Sequence, residues 1–169
     1  MDATSLRAMQ APIKDRYKSE PGAAMITLRA RGTLDDQNIA CKVETGRALS
    51  VAGLHPATGG SGLELCSGDM LLEALVACAG VTLKAVSTAL DIPLKSAAVS
   101  AEGDLDFRGT LGVDKEAPVG FAEIRLRFEV GTDASQDKLD LLLKLTERYC
   151  VVYQTIKNGP KVSVSMKRV

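Results

Sequence analysis

The chain has 169 residues, a length that suits one domain able to bury a core without disulfide staples. Lys plus Arg and Asp plus Glu number 21 each, so no net field draws nucleic acid or an anionic membrane surface to it, and polyanion binding is disfavoured. The first residues, Met1 to Arg7, have neither the basic start nor the apolar stretch of a secretory signal. No span approaches the roughly 20 apolar residues a membrane helix needs, so a soluble cytoplasmic protein is expected.

In chain order, residues 1–23 are polar and interrupted by Pro12 and Pro21, which predicts a short helical tail packed loosely on a domain spanning 24–169. Residues 25–31 alternate apolar and polar, Gly32 to Asp36 reads as a turn, and Ile39, Cys41 and Val43 alternate with polar neighbours, the pattern of a β-hairpin. Cys41 falls on the apolar side of its strand and is read as a core thiol. A third short strand around Arg47 to Ala52 leads into the loop Gly53 to Gly62, whose glycines and proline sustain neither helix nor strand.

A helix is predicted from Ser67 or Asp69, either of which can cap free N–H groups, and it must end before Pro93. Between Asp69 and Leu90 only Asp69, Glu73 and Lys84 are charged, so this helix is apolar nearly all round and belongs at the centre of a fold or between subunits. Val99, Ala101, Leu105 and Phe107 predict a strand, and residues 124–130 alternate most cleanly of all. Asp133 with Gln136 fits a capping box for a helix whose apolar face is Leu139, Leu142, Leu143 and Leu145. Cys150 opens a second helical stretch through Lys157, Asn158-Gly159-Pro160 stops it, and Val162, Val164 and Met166 predict a final strand. The order β-β-β-α-β-β-α-α-β is α+β with a mostly antiparallel sheet.

Two thiols organise the chemistry. Cys78 sits in the apolar helix and Cys150 at the junction of two later helices; a thiol in a buried helix is ordinarily a small core residue, but two near the interior of one small domain can be a redox pair. In a reducing compartment the cysteines are expected to be free, metal-bound or catalytic, and Cys41, Cys66, Cys78 and Cys150 contain no C-x-x-C pair.

The run Cys66-Ser67-Gly68-Asp69-Met70-Leu71-Leu72-Glu73-Ala74-Leu75-Val76-Ala77-Cys78, continued by Gly-Val-Thr-Leu, resembles the first cysteine helix of the OsmC/Ohr family, the osmotically inducible and organic hydroperoxide resistance proteins. Phe121-Ala122-Glu123-Ile124 and Glu147-Arg148-Tyr149-Cys150 are similar to that family's second cysteine region, and the resemblance runs from about Met25 to the carboxyl terminus. It implies an OsmC-like fold, a mostly antiparallel sheet wrapped around two central helices in an intertwined homodimer. It also implies thiol-dependent reduction of organic hydroperoxides, with no cofactor beyond an external dithiol or lipoyl-type reductant.

On that reading Cys78 attacks the peroxide and Cys150 resolves the resulting sulfenic acid as a disulfide, a step that needs Cα atoms within roughly 7 Å. A thiol whose ordinary pKa is about 8.5 must be ionised by a nearby cation or helix end, since burial alone acts the other way. The family usually places a glutamate near the start of the helix and an arginine upstream. Here the matching acid is Asp69 or Glu73, and because the loop before Ser67 has no arginine the cation is Arg47, Arg31 or, at lower pH, His55. After the second cysteine this chain has Val151 where the peroxidases commonly show proline.

Each of these residues also has a plainer role. Arg47 fits a solvated strand edge, His55 an exposed loop position, Asp69 a helix-start charge favouring the dipole, Glu147 a solvated helix face, and Cys66 a spare thiol. Two rival functions follow from the same residues. A metal site is disfavoured because every gap between cysteines is at least 12 positions, whereas zinc ligands normally come in close pairs. The other is a non-catalytic protein of the same fold that binds a small hydrophobic ligand and merely buries both thiols.

Overall fold

The computed structural model describes residues 2–19, 31–34, 40–44 and 49–168, with backbone alone for 13, 17, 18, 31–34, 40–44 and 49. The chain starts with α1 (Ala3–Ser19). Three strands, β1 (Arg31–Leu34), β2 (Ala40–Glu44) and β3 (Leu49–Gly53), follow before the short β4 (Leu65–Cys66) runs into α2 (Ser67–Ala89). Next come β5 (Ser96–Leu105), the single turn α3 (Phe107–Thr110), β6 (Phe121–Gly131), α4 (Gln136–Tyr149) and α5 (Val151–Asn158). One sheet has the order β1-β2-β3-β4, antiparallel except where β3 meets β4, and the other is the antiparallel pair β5-β6. This is the mixed α and β architecture predicted from the residues.

Both β5 and β6 have one wet face and one packed face, as strict alternation requires. On the wet face Arg125 sits among Glu102, Asp104 and Glu123, and Arg127 pairs with Glu102 at 3.1 Å. The packed face contributes Val99, Phe128 and Val130 to a core centred on Leu83, Val86, Ile92 and Leu142. Helix α2 therefore lies between the β5-β6 pair and α4, with Leu75 and Ala79 buried along it.

Helix α2 ends in a Schellman motif. Asp91 adopts φ 52°, its N–H donates to Thr88 O at 3.2 Å, and the N–H of Ile92 donates to Ser87 O at 2.9 Å. Aspartate is one of the few residues that tolerate this left-handed conformation. Arg7 from α1 donates to Ala89 O at 3.1 Å and lies 3.5 Å from the Asp91 carboxylate, so the first helix is tied across the end of the second.

Several local expectations are corrected. Helix α1 runs straight through Pro12 to Ser19; Pro12 removes one backbone donor without ending the helix, because Ala3 and Leu6 anchor the helix by burial. Strand β1 continues to Leu34, paired with Cys41, where the glycine and polar residues suggested a turn from position 32. Phe107 opens α3 rather than closing a strand, because the Asp106 carboxylate accepts the Arg108 N–H at 3.0 Å and caps that turn. The α4 cap is Ser135, not Asp133, which instead binds Lys95 Nζ at 2.6 Å.

Residues 159–168 form no strand with any described residue, and Val162, Val164 and Met166 stand exposed. Finally, α2 is by length and composition apolar enough to cross a bilayer, a property that counting its uncharged stretch did not anticipate. In this fold it packs against β5, α4 and α5.

Candidate functional site

Cys78 lies in the middle of α2, one turn beyond buried Leu75 and beside fully buried Ala79. Cys150 is the single residue between α4 and α5, and it is at once the C-cap of the former and the N-cap of the latter. Its φ of −73° and ψ of 106° break the helical path. The corner is closed by Cys150 N–H donating to Thr146 O at 3.0 Å, and α5 opens with Gln154 N–H donating to Cys150 O at 2.9 Å. Packing α5 on α2 then brings the two thiols, 72 positions apart in the chain, close enough that each perturbs the ionisation of the other.

The pair is electrostatically unequal. Partial burial pushes the Cys78 thiol up, but the N–H groups of Val152 and Val151 and the Cys150 S–H favour its ionised form and bring it below the ordinary thiol value, while the Thr82 hydroxyl donates to the Cys78 carbonyl oxygen at 2.8 Å. The first N–H groups of a helix have no partner within it and carry the positive end of its dipole, which makes the start of α5 a natural place for an anion. Cys150 is 1 % exposed and goes the other way. Burial is the chief cause; the Tyr153 N–H eases it in part, while donation to Cys78 and the charge of a Cys78 thiolate raise it further. Both thiols are free, as is half-buried Cys66.

An apolar cavity of about 570 Å³ is lined by Leu75, one turn before Cys78, and by Glu147 and Tyr153, one turn to either side of Cys150. Leu75 lies at one side; Phe121, Ile124, Leu126 and Phe128 of β6 form a wall; Leu143 of α4 with Tyr153 and Ile156 of α5 complete it. Glu123, Glu147 and Lys157 supply its polar groups, so Glu147 lines a cavity rather than a merely solvated helix face. Phe121 lies over Gly103 on the neighbouring strand, where a Cβ would come within 2.6 Å of the ring, so glycine is what lets this wall close.

The remaining predicted residues are placed as follows. Asp69 and Glu73 share a shallow groove with Leu72, Val76, Ala77 and Ala101. At about 100° per residue they lie about 180° and about 140° around α2 from Cys78, so within one chain neither approaches the sulfur. Asp69 occupies the first turn of α2, where a carboxylate complements the helix dipole. Arg47 lies outside the described residues, and Arg31 is described only as backbone of β1. Cys41 is likewise described only as backbone, in β2.

His55 stacks on Phe107 with ring centroids 4.8 Å apart, and its Nδ1 accepts the Ala57 N–H at 3.0 Å, so its ring organises the loop after β3. Cys66 is the N-cap of α2 without a side-chain capping bond. Among the described residues no group of three His, Cys, Asp or Glu is placed to hold a metal ion. The backbone donors at Val151 and Val152 were not predicted. A signal for the first existed in Val151 itself, a residue with an N–H at the position where the resemblance led one to expect proline.

Residues 60–165 match the family described as OsmC-like protein. In fold the chain is similar to the OsmC-like protein from Mycoplasma pneumoniae, with 16 % identity, TM-score 0.65, and coverage of 79 % of this chain and 89 % of that one. It is also similar to an organic hydroperoxide resistance protein OsmC from Legionella pneumophila, with 17 % identity, TM-score 0.61, and coverage of 80 % and 93 %. A third likeness is to the organic hydroperoxide resistance protein OhrB of Bacillus subtilis, at 17 % identity, TM-score 0.52, and coverage of 78 % and 93 %. No curated protein matches the chain. With more than half of its length matched by one family, and with the two cysteines of the resemblance side by side in the fold, the chain belongs to the OsmC-like family.

Proposed function

We propose that this protein is a thiol-dependent peroxidase that reduces organic hydroperoxides through Cys78 and Cys150, as a homodimer in a reducing cytoplasm. The observation that carries the reading is the unequal thiol pair, one sulfur held ionisable by the start of α5 and the other held protonated beside it.

The chemistry runs in three balanced steps. The Cys78 thiolate attacks the distal oxygen of ROOH; the O–O bond breaks, the sulfur gains OH as sulfenic acid, and the alkoxide leaves and takes a proton to become ROH. Once that negative charge is gone, Cys150 no longer faces an anion, and the Tyr153 and Val152 N–H groups that eased its burial now favour its thiolate. Cys150 then displaces hydroxide from the Cys78 sulfur, forming the disulfide and, with a proton, water. An external dithiol, lipoyl or similar, reduces the disulfide and leaves as its own disulfide. The net reaction converts one hydroperoxide and one dithiol into alcohol, water and oxidised dithiol, and needs no metal or bound cofactor.

The apolar cavity beside the pair suits a bulky hydrocarbon group on the peroxide better than hydrogen peroxide. Asp69 and Glu73 face away from Cys78 within one chain, so their orienting role is exercised across the homodimer, with Arg47 as the activating cation. Steady-state consumption of cumene hydroperoxide with a dithiol tests the reading. Cys78→Ser is expected to abolish turnover, and Cys150→Ser to permit one oxidation per site before stalling at sulfenic or higher acids. Full turnover by Cys78→Ser would overturn the assignment.

A further inference from the structure

In an uninterrupted helix the N–H of Val151 would bond the carbonyl of Glu147, four residues earlier. The break at Cys150 releases that N–H, one of the groups that lower the Cys78 thiol, from the helical ladder, which leaves the Glu147 carbonyl, near the end of α4, in need of another donor. The side chain of Gln154 supplies it, its Nε2 donating to Glu147 O at 2.7 Å across seven residues. The amide is held in that orientation from behind. Asn158 Nδ2 donates to Gln154 Oε1 at 2.8 Å and to Gln154 O at 3.1 Å, so the oxygen of the amide is engaged and its nitrogen faces Glu147.

We infer that Gln154, braced by Asn158, is a positioning residue: its amide takes over the carbonyl that Val151 has given up, fixes the angle between α4 and α5, and so keeps the first N–H groups of α5 aimed at Cys78. The inference rests on the reading of Cys78 and Cys150 as a reactive pair. One residue with two rotatable backbone bonds joins these helices, so without a second tie the direction of α5 would depend on packing alone. Gln154 is half-buried and outside the apolar cavity, so it has no contact of its own with a substrate lodged there.

The test is the pH dependence of iodoacetamide alkylation at Cys78, followed by peptide-resolved mass spectrometry on the full-length protein. Gln154→Met keeps length and helix preference but loses the donor. It is expected to raise the alkylation midpoint of Cys78 by about one pH unit, so that alkylation well below the midpoint slows about tenfold. Gln154→Lys, which retains an N–H donor on a long side chain, is expected to recover most of the shift. Asn158→Ala, at an exposed position, is expected to shift the midpoint in the same direction by less, and it carries the test if Gln154→Met does not fold.

A folded Gln154→Met protein with an unmoved midpoint would overturn the inference. So would a lower melting temperature with no change in alkylation, because a purely structural tie predicts that pattern. Alkylation needs no peroxide. A protein inert toward peroxide that still shows the Gln154 shift would refute the peroxidase reading and leave this one standing, whereas active peroxidase with no shift would do the reverse.

Discussion

Ionising a half-buried thiol requires donors aimed at the sulfur, and here the best placed ones belong to the backbone. Val151 is the first residue of α5, a position where proline is well tolerated because its φ already suits a helix. The preceding Cys150 is extended, as a residue before proline must be. Val151→Pro therefore removes one N–H without opposing the local fold. It is expected to move the alkylation midpoint of Cys78 upward, while Val151→Ala leaves it in place. In the native protein the sign is set by the directions of the two shifts. Cys78 alkylation rises with pH with its midpoint below the ordinary thiol value, and Cys150 alkylates with its midpoint above it. The two cysteines were legible in the chain because their apolar settings and a family resemblance marked them. The donors were not, since a backbone N–H leaves no mark in sequence until folding leaves it unpaired. The acidic candidates show what spacing alone leaves out: it places Asp69 near Cys78 in number but on the far side of α2 in angle.

Among the elements, α2 and α4 were legible from periodicity and charge because their packing follows from it. Leu142, predicted on the apolar face of α4, is 2 % exposed and packs in the core formed with Leu83, Val86 and Ile92. Leu142→Ala is expected to cost about 2–5 kcal/mol in chemical denaturation, from lost burial plus the cavity left behind. Because this core lies along α2 from the thiols, the alkylation midpoint of the folded variant should change little. Boundaries were less legible where two weak signals compete. Asp133 had the spacing of a capping box with Gln136, but Lys95 from the start of β5 claims its carboxylate, and a long-range ion pair has no local signature. Phe107 continued an alternating pattern, yet the Asp106 cap turns the chain before the pattern can be used.

At the scale of the molecule, the surface argues for a partner. Leu71, Ala74, Ala77 and Val81 leave an outward line of apolar residues on α2, with Val81 73 % exposed. Val162, Val164 and Met166 alternate with polar residues as a strand would, although no described strand pairs with them. The helix was read from sequence as central or lying between subunits, and the final strand as part of the sheet. Among the described residues the first reading is satisfied only in part, and the second finds no pairing strand. In the proposed homodimer these surfaces are covered. Light scattering should give twice the chain mass, and Val81→Glu should shift the population toward monomer by placing a charge in an apolar contact; wild-type protein at one chain mass would contradict the dimer.

The reaction itself depends on sulfur meeting sulfur. Peptide mapping of reduced protein after one equivalent of cumene hydroperoxide tests this most directly. Loss of two hydrogens per chain is expected, with a single cross-link between the peptides of Cys78 and Cys150 that a dithiol reverses. A thiol inventory that stays reduced, or oxidation scattered over Cys41 and Cys66 as readily as over the pair, would contradict it.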